Sequence, residues 1–321
     1  MSARRAARIA LALAAASLVL SFSRWSPERF WISVAIEILV FGLLAMSLDL
    51  LVGYAGLPSL GHAAFFGVGG YAFAIVAKRI SASVFAAFPV AVLVAAVAAL
   101  VIGTFSIRAS GIFFLMLTLA FAQMLYALAV GWVPVTGGSD GLAGVPRPDL
   151  GIAGFDLFSS QNYYVYVAAI FLLSALALWW IERSSFGLAL VGVRENERRM
   201  RALGYDTTRL KLVAFVIAGA FAGAAGTLEA GFNQFVSPND VFVTTSVTAL
   251  VMVLVGGTAT LFGPVLGAFV VVALRTWISS APIVGDRWET LLGVLFVATV
   301  LVARQGLVGL ARSVRTWPRS S

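Results

Sequence analysis

Long apolar segments recur along the whole chain, and they limit the possible folds more than any other feature. They lie near residues 9–22, 31–51, 60–77, 84–107, 111–133, 163–181, 211–233, 241–256, 261–277 and 289–303. A helix needs roughly 17–25 apolar residues to cross a bilayer, and these segments reach or approach that length. The pattern therefore predicts an all-α fold, a bundle of about 8–10 transmembrane helices that forms a single domain over residues 1–321.

Composition agrees with a membrane location and excludes several other classes of protein. The chain is 61% hydrophobic and 11% charged, so it carries more apolar surface than one soluble core could bury. Its net charge of +8 comes largely from arginines at the N-terminus, in one central segment and in the C-terminal tail. Cytoplasmic segments of membrane proteins are enriched in this way, so the charge predicts topology and not nucleic-acid binding.

Few side chains are suited to catalysis or to metal binding. The sequence has no cysteine and a single histidine, His62, which rules out thiolate chemistry and histidine-cluster metal sites. No pair of carboxylates, and no nucleophile with a nearby base, can be assembled from the remaining residues. We therefore expect neither an enzyme nor a bound metal or cofactor.

The arginines predict which side of the membrane each loop faces. With a cytoplasmic N-terminus, residues 134–162 lie outside, residues 182–210 lie inside, and the C-terminus lies inside. Lys78 and Arg79 would then face outward, against the usual charge rule. Glycine and proline in the outer loop predict turns there, not a strand or a helix. We expect the first segment to be a retained helix, although Ser21 to Ser23 would also suit cleavage of a signal peptide.

Glycine and proline interrupt two of the apolar stretches. Residues 51–62 and residues 255–264 each combine several glycines with one proline. Helices broken at membrane depth survive only where protein or a cavity covers the freed backbone groups, and transporters use such breaks to bind substrate. The small-xxx-small motifs that begin at Gly219 and Gly263 instead predict close packing between helices.

The strongest functional signal is a charged segment between two apolar ones, residues 182–211, which is called the island below. Helical spacing predicts a helix over Val193–Leu203 that stops at Gly204, with Asp206 or Thr207 capping the next helix. A helix of about ten residues spans only about 15 Å and is too short to be stable alone in water. We therefore interpret the island as a docking element, in preference to a solvated loop.

The predicted island helix would arrange its side chains in an ordered way. Arginines at positions 194, 198 and 201 form one face of the helix. Val193, Met200 and Leu203 form a short apolar seam. Each glutamate stands four residues before an arginine, in the pairs Glu195–Arg199 and Glu197–Arg201. Such spacing supports a helix and its exposed ion pairs.

A transporter needs an energy source, and this sequence contains no Walker A loop. That motif ends in Gly-Lys followed by Ser or Thr, but the only lysines, Lys78 and Lys211, follow Ala77 and Leu210. If ATP drives this protein, another polypeptide binds the nucleotide. The island would then be the surface that such a partner contacts.

Several motifs, taken together and in order, resemble one family. They are Ser185–Gly187, Val193–Tyr205, Lys211–Phe215, Leu51–Gly56, Ser59–Gly67, Gly111–Phe114, Thr118–Phe121, Thr136–Leu142, Gly256–Gly257 and Phe262–Gly267. The chain resembles the LivM-type permeases of branched-chain amino acid ABC importers over most of its length. The resemblance implies a bacterial inner-membrane subunit that pairs with a LivH-type permease, two cytoplasmic ATP-binding subunits and a periplasmic substrate-binding protein.

The resemblance also implies which island residues meet the ATPase. ABC permeases commonly carry an E-A-A-x-x-x-G docking motif, and the corresponding stretch here is Glu197–Gly204. Its spacing to glycine is one residue longer, and arginine replaces both alanines, which leaves the form of the ATPase surface open. The predicted coupling residues are Arg194, Glu195, Glu197, Arg198, Arg201, Leu203 and Gly204.

Polar and aromatic residues inside the apolar segments are candidates for the translocation pathway. A charge at the centre of a bilayer costs about 2.5–3.5 kcal/mol or more, so such residues usually face protein or water. The candidates are Glu37, Ser59, His62, Phe65, Phe66, Phe113, Phe114 and Gln123. His62 is either a hydrogen-bonded structural residue or part of the pathway, whereas Asp49 and Glu229 are expected near the membrane interface.

Two transport mechanisms fit the sequence. The first is ATP-driven import of branched-chain or other neutral, hydrophobic amino acids by alternating access. The second is proton-coupled secondary transport of a small neutral or zwitterionic solute, with Glu37, Asp49 and Glu229 as proton carriers. A secondary transporter has no need of a docking helix, which favours the first. Other amino acids, urea and short amides remain open as substrates.

Overall fold

Helices account for nearly all of the regular structure. The computed structural model describes residues 28–151 and 156–279, together with residues 290, 293, 294, 306, 307 and 309. The helices are α1 (Arg29–Asp49), α2 (His62–Arg79), α3 (Val84–Ser106), α4 (Ile112–Gly131), α5 (Val133–Thr136), α6 (Ser160–Arg183), α7 (Ser185–Ala202), α8 (Thr207–Asn233), α9 (Val243–Gly256) and α10 (Gly263–Ser279). A π-helical segment, Leu50–Ala55, continues α1, and short 3-10 helices lie at Gly138–Asp140 and Pro238–Asp240.

Six of the described helices are long and apolar enough to cross a membrane. They are Arg29–Ala55, Val84–Ser106, Ile112–Gly131, Ser160–Arg183, Thr207–Asn233 and Pro238–Gly256, and Gly263–Ile278 is a shorter apolar helix. Eight of the ten predicted segments fall on helices. The segment 9–22, with its question of signal-peptide cleavage, and nearly all of 289–303 lie outside the described residues. The predicted polytopic all-α architecture is confirmed.

Small residues let α3 and α8 pack closely at the centre of the bundle. On α3, every fourth residue from Ala87 to Ala99 is a fully buried alanine. Gly219 of α8 faces Ala99, and Gly223 faces Ala95, so closely that a Cβ atom on either glycine would overlap the alanine. Such contacts bring helix backbones together where apolar lipid offers no hydrophobic driving force for association. The packing motif that begins at Gly219 is confirmed.

The two ends of the bundle carry different connections. At one end, called the island end, α6 leads into α7 and α7 leads into α8. At the other, called the loop end, β1 (Leu142–Ala143) pairs antiparallel with β2 (Phe235–Val236). The expectation that residues 134–162 form turns without helix or strand is therefore wrong. A two-residue strand cannot be recognised from its own sequence, because its pairing partner comes from a distant segment.

Lys78 and Arg79 hold the outer loop against the end of α2. Lys78 Nζ donates a hydrogen bond to the carbonyl oxygen of Ala143 (2.7 Å), and Arg79 Nη2 donates one to that of Pro134 (3.1 Å). The basic pair thus lies on the side of the loop, opposite to the island, as the predicted threading requires. The loop carbonyls supply the partners that make a basic pair acceptable at this end.

We expect Gly223→Val to destabilise the bundle, because the added side chain must be forced between α3 and α8. Overpacking of this kind costs about 1–3 kcal/mol, so the melting temperature of the purified protein should fall by several degrees. Gly131→Val is the matched control, since nothing lies within 4 Å of a Cβ atom built at Gly131. Thermal unfolding in detergent compares the two variants, and equal melting temperatures would contradict the packing argument.

Candidate functional site

The two interrupted helices meet at the island end of the bundle. In the first break, the chain turns at Gly56, directly after the π-helical segment. Gly56 has a φ of 69°, in the left-handed region. α9 ends at Gly256, and the chain reaches α10 through Gly257 (φ 115°) and Ala259 (φ 56°). A Cβ atom on Gly53 would overlap the backbone of Ala259, so the two breaks are in direct contact. Both predicted interruptions are confirmed.

Asp49 joins the two breaks through its carboxylate. Oδ1 accepts a hydrogen bond from the N–H of Ala259 (2.9 Å), and Oδ2 accepts one from the N–H of Thr260 (3.2 Å). Asp49 is only 2% exposed. A buried carboxylate is tolerated when donors hold it, and here it satisfies two N–H groups in a non-helical connection. Asp49 is therefore buried in protein, and its expected depth near the membrane interface stays a prediction.

The island helix is longer than predicted, and it is kinked. α7 begins at Ser185, where Ser184 Oγ accepts a hydrogen bond from the N–H of Gly187 (3.3 Å), so the predicted start at Val193 is wrong. Asn196 interrupts the helix with φ −159° and ψ 93°. Its side chain then caps the second half of α7 by accepting a hydrogen bond from the N–H of residue 199 (2.9 Å). Asparagine favours such cap positions over helix interiors.

The kink divides the predicted arginine face. Arg194 precedes Asn196 and turns back toward α1, whereas Arg198 and Arg201 belong to the second half of the helix. Glu195 accordingly pairs with its neighbour Arg194, at 2.7 Å, and not with the arginine four residues later. The prediction of one continuous face is wrong because helical spacing ignores the competition of the Asn196 side chain for the backbone.

The predicted end of the island helix is confirmed. Gly204 has a φ of 90°, and the N–H of Tyr205 donates to the carbonyl oxygen of Met200 at 3.1 Å. These are features of a Schellman motif, which ends a helix with a left-handed glycine. Asp206 then caps α8, because its Oδ1 accepts a hydrogen bond from the N–H of Arg209 at 3.0 Å.

Arg194 links the island to the first helix break. Its Nη1 donates a hydrogen bond to the carbonyl oxygen of Gly53, and its aliphatic carbons lie over Gly56. Glu195 binds the same guanidinium through Nη2, at 2.7 Å. Because Gly53 also contacts Ala259, a displacement of Arg194 would reach both interrupted helices.

Glu197 ties the second half of α7 to α8. Its Oε1 lies 2.7 Å from Arg201 Nη2, 2.8 Å from the Nζ of the buried Lys211 and 3.0 Å from Thr207 Oγ1. Partial burial alone would raise the pKa of Glu197, but the hydrogen bond and charge of Lys211, with hydrogen bonds from Arg201 and Thr207, hold it below its usual range. The predicted ion pair between Glu197 and Arg201 is confirmed, and it belongs to a joint between two helices.

The remaining island residues divide between the core and the surface. Val193 is buried in the bundle at 4% exposure, while Leu203 is 67% exposed, so the predicted apolar seam is split. Arg198 is exposed, and Tyr205 is 49% exposed. Arg198, Leu203 and Tyr205 are therefore exposed near the end of α7. That the seven predicted coupling residues contact an ATPase stays a prediction.

The aromatic candidates for the translocation pathway form a packed cluster. Phe65, Phe66 and Phe114 are buried. Phe65 and Phe114 pack edge-to-face against Phe215, with ring centroids 5.3 and 6.0 Å apart. Phe113, by contrast, is 69% exposed on α4. The geometry of the three buried rings is that of core packing, and a role in translocation stays a prediction for all four.

His62 and Ser59 are buried in the connection between α1 and α2. Ser47 Oγ donates its proton to the carbonyl oxygen of Leu44 (2.7 Å), so it accepts a hydrogen bond from His62 Nε2 at 2.8 Å. Ser59 Oγ accepts a hydrogen bond from the N–H of Gly61 at 3.2 Å. This arrangement favours the structural interpretation of His62 over a place in the pathway.

Glu37 and Gln123 lie apart from these residues and from each other. Gln123 is half-buried on α4. Glu37 of α1 forms an ion pair with Arg275 of α10, with Oε1 and Nη1 2.9 Å apart. Arg275 was not among the predicted residues, although a lone arginine within the apolar segment 261–277 is a recognised sign of function. Within the described residues, no group of acidic side chains and His62 could hold a metal ion.

Comparison with known proteins identifies the family. Residues 30–300 match the family model described as "Branched-chain amino acid transport system / permease component". The chain belongs to this permease family. Its LivM-type resemblance is thereby confirmed, and the chain is a multi-pass membrane permease, the kind of subunit that ABC transport systems combine with separate ATPases.

Individual relatives support the same family over most of the chain. The chain is 31% identical over 307 residues to the high-affinity branched-chain amino acid transport system permease protein LivM of Salmonella typhimurium, a match that covers 89% of this chain and 71% of the relative. The LivM protein of Escherichia coli is 30% identical with the same coverage. A probable LivH permease protein of Methanocaldococcus jannaschii is 24% identical over 162 residues, 48% of this chain and 51% of the relative. No solved structure matches the chain.

We expect Asp49→Ala to destabilise the permease, because it leaves the partly buried N–H groups of Ala259 and Thr260 without their acceptor. Each unsatisfied group costs about 1–3 kcal/mol. Asp49→Asn keeps one acceptor oxygen and should lose less stability. Melting temperatures in detergent should fall in the order wild type, Asn variant, Ala variant. An Ala variant as stable as the wild type would contradict the role of Asp49 in joining the breaks.

Proposed function

We propose that the chain is the permease subunit of an ATP-driven importer that moves branched-chain or other neutral, hydrophobic amino acids across the membrane by alternating access. Similarity to two LivM proteins over 89% of the chain supports this substrate class. One observation carries the coupling mechanism. The hydrogen bond from Arg194 to Gly53 connects the exposed island to the interrupted helices, so force applied outside the bundle has a route into it.

The complete importer contains several kinds of subunit. This chain pairs with a LivH-type permease, and the pair binds two cytoplasmic ATP-binding subunits and a periplasmic substrate-binding protein. The chain itself contributes no catalytic residue, because ATP is bound and hydrolysed on the partners. We place it in a bacterial inner membrane with both termini in the cytoplasm, since its arginines concentrate at the termini and in the island.

The geometry gives alternating access a physical route. The ATP-binding subunits would bind the surface that includes Arg198 and Leu203. Their movement during ATP hydrolysis would displace the second half of α7. The ion pair of Glu197 with Lys211 then passes the displacement to α8. Arg194 passes it to α1, and Asp49 carries it onward to the connection between α9 and α10. Interrupted helices are suited to such movement because their halves can tilt independently.

Transport by a reconstituted complex distinguishes this proposal from a proton-coupled carrier. The chain is co-purified with its partner subunits and reconstituted into liposomes. ATP is supplied on the side that carries the ATP-binding subunits, and binding protein and radiolabelled leucine are added on the other side. ATP-dependent leucine uptake that survives an uncoupler supports the importer. Leucine uptake by this chain alone, collapsed by the uncoupler and indifferent to ATP, would instead establish the secondary transporter.

Truncating the exposed island surface should weaken the ATPase contact. A few side chains, often arginine, carry most of the binding energy of an interface and cost more than about 1 kcal/mol when truncated. The double variant Arg198→Gln, Leu203→Ala should therefore bind the ATP-binding subunit about tenfold more weakly. The matched control is Arg209→Gln, Leu188→Ala, which changes two other exposed side chains, 85% and 69% exposed, in the same chemical way. Pull-down at graded ATPase concentrations measures both. Equal affinity of the two double variants would refute the docking surface.

Arg194→Ala should separate ATP hydrolysis from transport. The variant removes the donor to Gly53 but leaves the exposed surface intact, so binding of the ATP-binding subunit should persist. The amount of leucine transported per ATP hydrolysed should fall several-fold, because the variant loses a charge-assisted hydrogen bond. Arg199→Ala is the control, because the Asn196 cap uses only the backbone of that residue. Unchanged coupling in Arg194→Ala would exclude the proposed route.

A further inference from the structure

A charged pair joins α1, which is long enough to cross a membrane, to the shorter apolar helix α10. Arg275 Nη1 donates to Glu37 Oε1 at 2.9 Å. Arg275 follows the start of α10 by about 18 Å along the helix axis, and Glu37 follows the start of α1 by about 12 Å, at 1.5 Å per residue. The pair therefore lies below the loop end of the bundle and within its apolar zone.

This pair is accessible from the surface of the single chain. The Arg275 side chain is 47% exposed and the Glu37 side chain is 26% exposed. Exposing a charge to the hydrocarbon core costs about 2.5–3.5 kcal/mol or more, so this face of the bundle meets water or another protein, not lipid.

A cleft of about 450 Å³ opens at the pair. Glu37 and Arg275 form its charged side, while Phe30, Val34 and Phe232 form its apolar side. Small-molecule sites combine a mostly apolar wall with a few placed polar groups in this way, and the volume lies in their usual range of about 300–1,000 Å³.

A second carboxylate approaches the same place from α8. Glu229 lies near enough to Glu37 and Arg275 for their charges to interact. Its Oε1 accepts a hydrogen bond from Asn233 Nδ2 at 2.8 Å, but its Oε2 is buried and has no hydrogen-bond partner among the described residues. Glu229 does not line the cleft, but its negative charge favours a cation near Glu37.

We propose that this cleft binds the two charged ends of a zwitterionic, aliphatic amino acid during translocation. The α-carboxylate binds the Arg275 guanidinium, and the α-ammonium group binds Glu37. The aliphatic side chain lies along Phe30, Val34 and Phe232. The ligand carries one charge of each sign, so it can separate the internal ion pair and give each partner an opposite charge in return.

The inference rests on the proposed function, since it names the site at which an imported amino acid is held. A competing explanation is that the same face contacts the second permease subunit. We favour the ligand because the cleft places one carboxylate and one arginine beside apolar walls, which matches a zwitterion joined to a hydrocarbon chain. If the face is instead a subunit interface, its variants should lose the partner permease during purification.

Three variants of the complete transporter test the inference, namely Glu37→Gln, Arg275→Gln and the swapped pair Glu37→Arg with Arg275→Glu. Each lost charge-assisted hydrogen bond should lower leucine uptake about tenfold or more. ATP hydrolysis stimulated by the binding protein and recovery of the partner permease should stay near wild-type levels in all three. The swapped pair should restore the melting temperature but not the uptake. Arg108→Gln, which changes an exposed arginine between α3 and α4 and outside the island, is the control.

Each alternative result has a distinct meaning. Uptake restored by the swapped pair would show a purely structural ion pair and overturn the site. Loss of the partner permease on purification would assign the face to the subunit interface, which also overturns it. Normal uptake in all three variants contradicts this inference alone. If the wild-type complex takes up no leucine, the proposed function fails, and this inference fails with it.

Discussion

The fold depends on how two interrupted helices satisfy the backbone groups that the breaks leave without helical partners. Inside a bilayer an unpaired N–H or C=O costs several kcal/mol, so helices break there only if other groups replace the missing hydrogen bonds. Asp49 provides that replacement by accepting from Ala259 and Thr260. Gly53 permits the close approach that these bonds require. A buried carboxylate in an otherwise apolar helix thus has a structural reason.

Features that depend on neighbouring residues could be predicted from the sequence, and features that depend on distant ones could not. The helix stop at Gly204, the cap at Asp206 and the apolar segments follow from local chemistry, and they are present wherever the structure describes the chain. The bond from Arg194 to Gly53 joins residues 141 positions apart, and no pattern within either segment indicates it. The kink at Asn196 was local, but helical spacing outweighed the capping preference of asparagine in the prediction.

Aromatic and charged residues in the apolar helices have different surroundings: the aromatic rings pack between helices, and the charged pair lies in a cleft. The rings around Phe215 fill space between helices, as most aromatic side chains in apolar segments do. The contacts of Phe65 and Phe114 are therefore those of helix packing and do not indicate a binding site for a transported solute. The ionisable residues Glu37 and Arg275 are expensive in this environment and occupy a cleft. Charge, more than aromatic content, marks where a permeating zwitterion would find partners.

The kink in α7 makes the island modular. Its first half is fastened to α1 through Arg194, and its second half is fastened to α8 through Glu197 and Lys211. A straight helix would oblige any redesign of the docking surface to preserve the contacts with α1. Because the kink at Asn196 separates these two sets of contacts, side chains at the exposed end of α7 can change without disturbing the contact of Arg194 with α1.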